Sequence, residues 1–292
     1  MFNPRHLASL VAIAEYGGFA AAGQALGRSH SAISLHIKAL EAEVGATLID
    51  RRARPAVLTP DGEALAEQGR RLQRVLDDIA ALRTGDRLSG RLAVGIVPTA
   101  MAHLAPPALA RLRKAQPDVR LDIRTGLSGE LAGAVEAGEL DAALVTGPDL
   151  APTVLQMRHI IDEPLIVIAS PATRGGEADL LAAHPFIWFS RKTWAGQQIE
   201  RRLLDRGLRV TPAMEIDSLE AIEELVRNGL GVSIVPDRGR AGDLRRVPFC
   251  QPQAMRRLVL LTRPRSPRTR LIDALATALK PPDDTDPTLT YT

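Results

Sequence analysis

The sequence predicts an α/β protein in three parts: a small, mostly helical head, one long helix, and a larger region where strands alternate with helices. Three observations predict it. Residues 3–49 hold three short apolar runs at helical spacing, separated by glycine breaks. Residues 60–83 form one uninterrupted run whose apolar positions recur every three and four residues. From residue 91 onward, short strand-like runs alternate with helical ones, as in parallel sheets joined by crossover helices.

In the head, Asn3 suits a helix cap and Pro4 the first helical position. Leu7, Leu10, Val11 and Ala14 supply that helix's apolar face, and Gly17–Gly18 break it. An alanine-rich second helix runs from Phe19 to Leu26 and stops at Gly27. Ser29 suits the cap of a third helix, whose buried face is Ile33, Ile37, Leu40 and Val44. His30, Ser31, Ser34, His36 and Lys38 fall largely away from that face. Leu48–Leu58, with Arg51, Arg52 and Arg54 around Pro55, reads as a two-stranded ribbon with a basic tip. The head is thus a winged helix-turn-helix over residues 1–58.

Thr59 and Pro60 open the long helix, expected over 59–83. Leu65, Gln68, Leu72, Val75, Ile79 and Leu82 form a heptad seam with one polar interruption. That seam packs on its own chain or on a second copy. Residues 84–90, with two glycines, read as a hinge.

Residues 91–280 give strands at 91–97, 119–124, 141–146, 165–170, 186–189, 213–216, 232–235 and 258–263, with helices between them. Two lobes are expected, the first about 91–161 and 266–280, the second about 162–265. Asp217 and Glu220 fit a capping box for the helix leading to Gly229. Residues 281–292 lack apolar periodicity and read as a disordered tail.

Composition sets limits. The 292 residues suit two or three domains, and 45% hydrophobic content supports real cores. A net charge of +3 permits an anionic partner without demanding one. Cys250 is the single cysteine, so an intrachain disulfide and a cysteine-based zinc site are excluded. It reads as a small buried hydrophobe. No apolar run reaches the ~18–20 residues that cross a bilayer. Residues 1–14 lack the core and cleavage site of a signal peptide, so the expected location is the cytoplasm, with no membrane partner. His30 and His36 are six residues apart, on different helix faces, which argues against a metal site. The nucleophile elbow, the HExxH zinc motif, the Walker loop and GxGxxG are all missing, so an enzyme is not expected. A free-standing solute-binding protein would leave residues 1–83 without a role.

Phe19, Ala22, Leu26, Ser29, Ala32, Ser34, Ile37, Leu40 and Glu41 stand in a register that resembles the LysR-type transcriptional regulators. Gly45, Leu48, Arg51, Leu58, Thr59 and Gly62 continue the match. Glu139–Leu144 and Asn228–Pro236 resemble two further segments of the same family, in its C-terminal domain. The resemblance implies a two-lobed effector domain like the periplasmic binding proteins, pairing through the long helix, and often tetramers. It also implies double-stranded operator DNA and a small-molecule effector as partners, with RNA polymerase contact at the promoter. There are departures. Ser29-His30-Ser31 stands for Ser-Gln-Pro, Leu35-His36 for Arg-Gln, Ile49-Asp50-Arg51 for Phe-Glu-Arg, and Ala22-Gly23 for Ala-Ala. They imply a base-reading surface unlike that of commoner members.

The physical reading agrees. A recognition helix buries one face and presents short polar side chains to base edges. Ser29, His30, Ser31 and Ser34 suit that need, while His36 and Lys38 reach base edges or phosphates. Arg51, Arg52 and Arg54 suit phosphate or minor-groove contact. No cofactor is expected; the effector is a small organic molecule, and an anion would suit helix N-termini. Its candidate contacts are the loops after the strands: Pro98, Thr99 and Ala100; Gly126, Leu127 and Ser128; Thr146 and Gly147; Phe189 and Ser190. Thr99 and Ser128 either donate hydroxyls to the ligand or cap their helices.

Overall fold

A computed structural model describes residues 2–53, 55–81, 88–148, 154–239 and 242–280. The chain divides into two compact units, Met1–Gly90 and Arg91–Thr292. Arg54, Leu82, residues 84–87 of the expected hinge and the tail 281–292 lie outside the described residues.

The first unit is built from α1 (Pro4–Tyr16), α2 (Phe19–Leu26), α3 (His30–Val44), the ribbon β1 (Ile49–Asp50) and β2 (Val57–Leu58), and α4 (Pro60–Ala81). Local chemistry sets each boundary. The Asn3 side chain accepts from the Arg5 N–H at 2.9 Å, Ser29 from Ala32 at 3.2 Å and Thr59 from Gly62 at 3.1 Å. The C-terminal residues Gly17, Gly27 and Gly45 are left-handed. Leu7, Leu10, Ile13, Ala22, Ile33, Ile37, Leu40, Leu48 and Ile49 close into one core. Gly23 has a steric reason: a Cβ there would stand 2.7 Å from the Arg28 carbonyl oxygen. A Cβ on Gly62 would stand 2.1 Å from the Leu48 carbonyl oxygen, so only glycine lets the first turn of α4 lie against the ribbon.

The second unit opens with β3 (Gly90–Ile96), so Gly90 ends the hinge as a strand residue. Then follow α5 (Pro98–Met101), α6 (Ala105–Ala115), β4 (Val119–Thr125), α7 (Ser128–Glu136) and β5 (Ala142–Thr146). The strand β6 (Gln156–Ala169) leads to α8 (Glu177–Ala183), β7 (Pro185–Phe189), α9 (Trp194–Asp205), β8 (Thr211–Ile216) and α10 (Leu219–Arg227). The unit finishes with β9 (Ser233–Pro236), β10 (Arg245–Pro248), β11 (Met255–Thr262) and α11 (Thr269–Leu279).

The sheet order is β10-β6-β11-β5-β3-β4, with β9 also on β6, and β7 pairs separately with β8. The expected parallel sheet is therefore mixed. Pairs β3–β5 and β7–β8 are parallel, but β11 runs antiparallel to β5 and β6, and β9 and β10 antiparallel to β6.

The long β6 belongs to both lobes. Its first part, Gln156–Pro164, pairs with β11, and Leu165–Ala169 pairs with β9 and β10. That second part is buried on both faces. Leu165 and Val167 join Phe186, Trp188 and Phe249 on one side; Ile166 and Ile168 join Ile187, Ile222 and Val226 on the other. Two expectations are corrected here. The chain returns to the first lobe at Met255, not near 265, because β11 hydrogen-bonds along the whole of β5. Helix α10 is capped by Ser218, whose hydroxyl accepts from the Ala221 N–H at 3.2 Å, and not by Asp217.

Candidate DNA interface and ligand cavity

In α3, Ile33, Ile37 and Leu40 are buried. On a helix with 3.6 residues per turn the opposite side carries Ser31, Leu35, Lys38 and Ala42, with Ser34 beside them; His30 projects near Ile37 and is exposed because it opens the helix. His30, Ser31, Leu35 and Lys38 are exposed, and Ser34 is half-buried. Ser29 spends its hydroxyl within the turn, capping α3 and bonding the Ser31 hydroxyl at 2.9 Å. His30 tilts against Phe19, ring centroids 5.4 Å apart.

His36 does not share that face. It stacks on His6 of α1, centroids 4.6 Å apart, and its Nδ1 lies 2.7 Å from the Ser9 hydroxyl. Burial pushes the imidazole below its usual range, and the positive charges of His6, Arg28 and Arg5 push it the same way. The expected base contact by His36 is thus replaced by a helix-packing contact. Position 36 sits one step too far round toward α1.

The ribbon's first arginine is exposed and also bonded within the head. Arg51 pairs with Glu41 at 3.2 Å and lies over the Phe19 ring at 6.0 Å. The other Glu41 oxygen accepts from the Leu48 N–H at 3.0 Å, so one carboxylate anchors the ribbon to α3. Arg52 is exposed, and its backbone N–H donates to Asp50 at 2.9 Å.

The α4 seam divides. Leu65 and Leu72 are half-buried and packed on the head's own core. Gly69 sits where a Cβ would meet Val11 of α1 at 2.8 Å. Further along, Val75 is 52%, Leu76 42% and Ile79 57% exposed. The first half of the seam is consumed within the chain, and among the described residues the large apolar side chains left exposed on α4 are Val75, Leu76 and Ile79.

In the second unit a cavity of about 80 Å³ lies where the two lobes meet. Seven expected contacts line it: Pro98, Thr99, Gly126, Leu127, Ser128, Thr146 and Phe189. Three do not. Ala100 is fully buried. Gly147 faces a separate cavity, and its carbonyl accepts from Gln198 at 2.7 Å. The Ser190 carbonyl accepts from the Thr193 hydroxyl at 2.7 Å, inside the turn that starts α9.

The structure adds Val97, Thr193, Ala195, Asp217 and Arg256 to the lining. Arg256 is the consequential one. It is 1% exposed, yet its Nη1 donates to the Thr99 hydroxyl at 2.9 Å and its Nε to Glu163 at 2.8 Å. His103 lies 3.0 Å from the other Glu163 oxygen. Burial alone would raise the Glu163 carboxyl, but the hydrogen bond to His103 and the charge of Arg256 outweigh it and hold it low. Arg256 carries a legible signal: strand alternation places it on the face of Leu258 and Leu260, an arginine in a core phase. Ser128 opens α7 and Thr193 caps α9, whose Gly196 N–H reaches the Thr193 hydroxyl at 2.9 Å. Two helix N-termini therefore face the cavity.

Residues 4–63 match the family described as bacterial regulatory helix-turn-helix protein, lysR family, and residues 85–281 the LysR substrate binding domain. An uncharacterized HTH-type transcriptional regulator of Escherichia coli, YnfL, is 30% identical over 88% of this chain and 91% of its own. Full-length OxyR from Pseudomonas aeruginosa superposes with a TM-score of 0.70 at 25% identity, covering 96% of this chain and 95% of that one. CbnR, a LysR regulator solved with its target DNA, shares the fold, with a TM-score of 0.66 at 22% identity over 94% of this chain and 99% of that one. With both family domains in order along one chain, the protein belongs to the LysR family of transcriptional regulators, a DNA-binding helix-turn-helix head joined to a two-lobed effector-binding domain.

Proposed function

We propose that this regulator reads operator bases with the outward face of α3 and is switched by a small anionic organic molecule bound in the cavity between the lobes. The observation that carries the ligand reading is the cavity itself. The N-terminal turns of α7 and α9 both contribute lining residues, and their backbone N–H groups suit an anion. Arg256, neutralised by Glu163, orients the Thr99 hydroxyl, and Asp217 leaves room for a ligand that also carries a donor. Pro98, Leu127, Phe189 and Ala195 supply apolar contact. A volume of about 80 Å³ takes a ligand of a few heavy atoms, or the acidic end of a larger one.

On the DNA side, His30, Ser31, Ser34 and Lys38 address base edges in the major groove, and Arg52 and Arg54 follow the phosphates. Two chains pair through Val75, Leu76 and Ile79, so that two heads meet two half-sites. A ligand that binds one arrangement of the oligomer better than another shifts the population between them. That shift alters promoter geometry or contact with RNA polymerase. The site of action is the cytoplasm, where the chromosomal partner lies.

The test is a thermal-shift screen of small carboxylates against the full chain and its Ala195→Leu variant. A compound that raises the melting temperature of the first and not the second identifies the ligand and the cavity together. Equal stabilisation of both would place the ligand elsewhere.

A further inference from the structure

We propose that Leu35 is a base-reading residue: its side chain packs on the C5-methyl group of a thymine in the major groove, making thymine a required letter of each half-site. Leu35 is 66% exposed, although its helix has a well-filled buried face of Ile33, Ile37 and Leu40. It stands at the centre of the outward side of α3, four residues after Ser31 and three before Lys38. Ser31, Leu35, Lys38 and Ala42 fall within about 60° of one another round the helix.

A leucine in that position has no packing role in the head, since it is absent from the residues that close or flank its core. Its neighbours specify the partner. Ser31 and Ser34 are short hydroxyls suited to base edges, and Lys38 brings a positive charge one turn along, suited to a guanine edge or a phosphate. A protein partner would meet an apolar patch of large side chains with a polar rim. Here one leucine stands between Ser31 and Lys38 on one side and the small Ala32 and Ala39 on the other. That leaves it the one large apolar group on a polar face, the composition that faces nucleic acid. In the major groove the apolar group on offer is the thymine methyl. Cytosine carries hydrogen at the same carbon, so a leucine seated there separates T·A from C·G without a hydrogen bond.

This inference rests on the outward face of α3 reading bases, and the experiment separates the two. Duplexes bound by the full-length protein are selected from a randomised pool. Each thymine is then replaced in turn by uracil, which removes the methyl and leaves base pairing intact. The wild-type chain binds about fourfold more weakly when one particular thymine of a half-site becomes uracil, the effect of losing one buried methyl. Leu35→Ser binds the thymine and uracil duplexes equally, at the strength of wild type on uracil, with an unchanged melting temperature because Leu35 is exposed. Wild-type binding that is indifferent to uracil at every position overturns the proposal, as does a Leu35→Ser variant that keeps the thymine preference or binds as tightly as wild type. Failure to select any sequence would overturn base reading by α3 as a whole. A sequence that Ser34→Ala weakens while Leu35→Ser leaves it untouched would overturn the role of Leu35 alone.

Discussion

Arg256 and Thr99 lie 157 positions apart in sequence, yet the guanidinium Nη1 donates to the threonine hydroxyl at 2.9 Å. This bond ties β11 to α5, the short helix after β3, and Glu163 on β6 holds the other edge of the same guanidinium. Removing the cation alone leaves a buried carboxylate with only His103 beside it. Arg256→Met is expected to cost about 3–5 kcal/mol of stability in urea denaturation. Pairing it with Glu163→Leu recovers most of that loss, because an apolar pair carries no unmet charge. A single variant as stable as wild type would show that the ion pair does not hold the lobes' shared strands.

The burial of His36 against α1 gives the head a pH dependence with a definite sign. The His36 imidazole titrates below its usual 6.5 in the folded chain. At pH 8 both states are neutral and the group contributes nothing. As pH falls through about 6.5 the unfolded chain takes the proton first, so stability drops between about pH 7 and pH 5. His36→Gln removes that part of the slope, read as the denaturation midpoint at pH 8 and pH 5. Identical slopes in the two proteins would contradict the assignment.

Much of the head was legible because its signals are local. Asn3, Ser29 and Thr59 cap helices as their spacing implies, and the glycines at 17 and 27 end them. What was missed depends on residues distant in sequence. Nothing near Arg256 reveals that Glu163 lies 93 positions away to neutralise it, so the strand was read from Leu258 and the arginine left outside. His36 looked outward by periodicity alone; its partners Ser9 and His6 are on another helix. Ala100, Gly147 and Ser190 follow strands as a ligand loop should, but the turns there face inward or bond to themselves.

The division of α4 makes its two halves respond differently to charge. Val75→Glu with Ile79→Glu is expected to give monomers in sedimentation, since both side chains are more than half exposed. Leu72→Ala acts on the head instead, costing about 1–2 kcal/mol in its denaturation, because Leu72 packs on the core. Intact dimers in the glutamate variant would locate the pairing surface elsewhere.

The central claim is that α3 reads sequence. Its most direct measurement is binding of Ser34→Ala and wild type, by fluorescence anisotropy at fixed salt, to a selected duplex and to a random one. Loss of about 1–3 kcal/mol on the selected duplex, with random binding unchanged, is the predicted result. An equal loss on both would contradict it, because a residue that weakens all DNA alike touches phosphate and not bases.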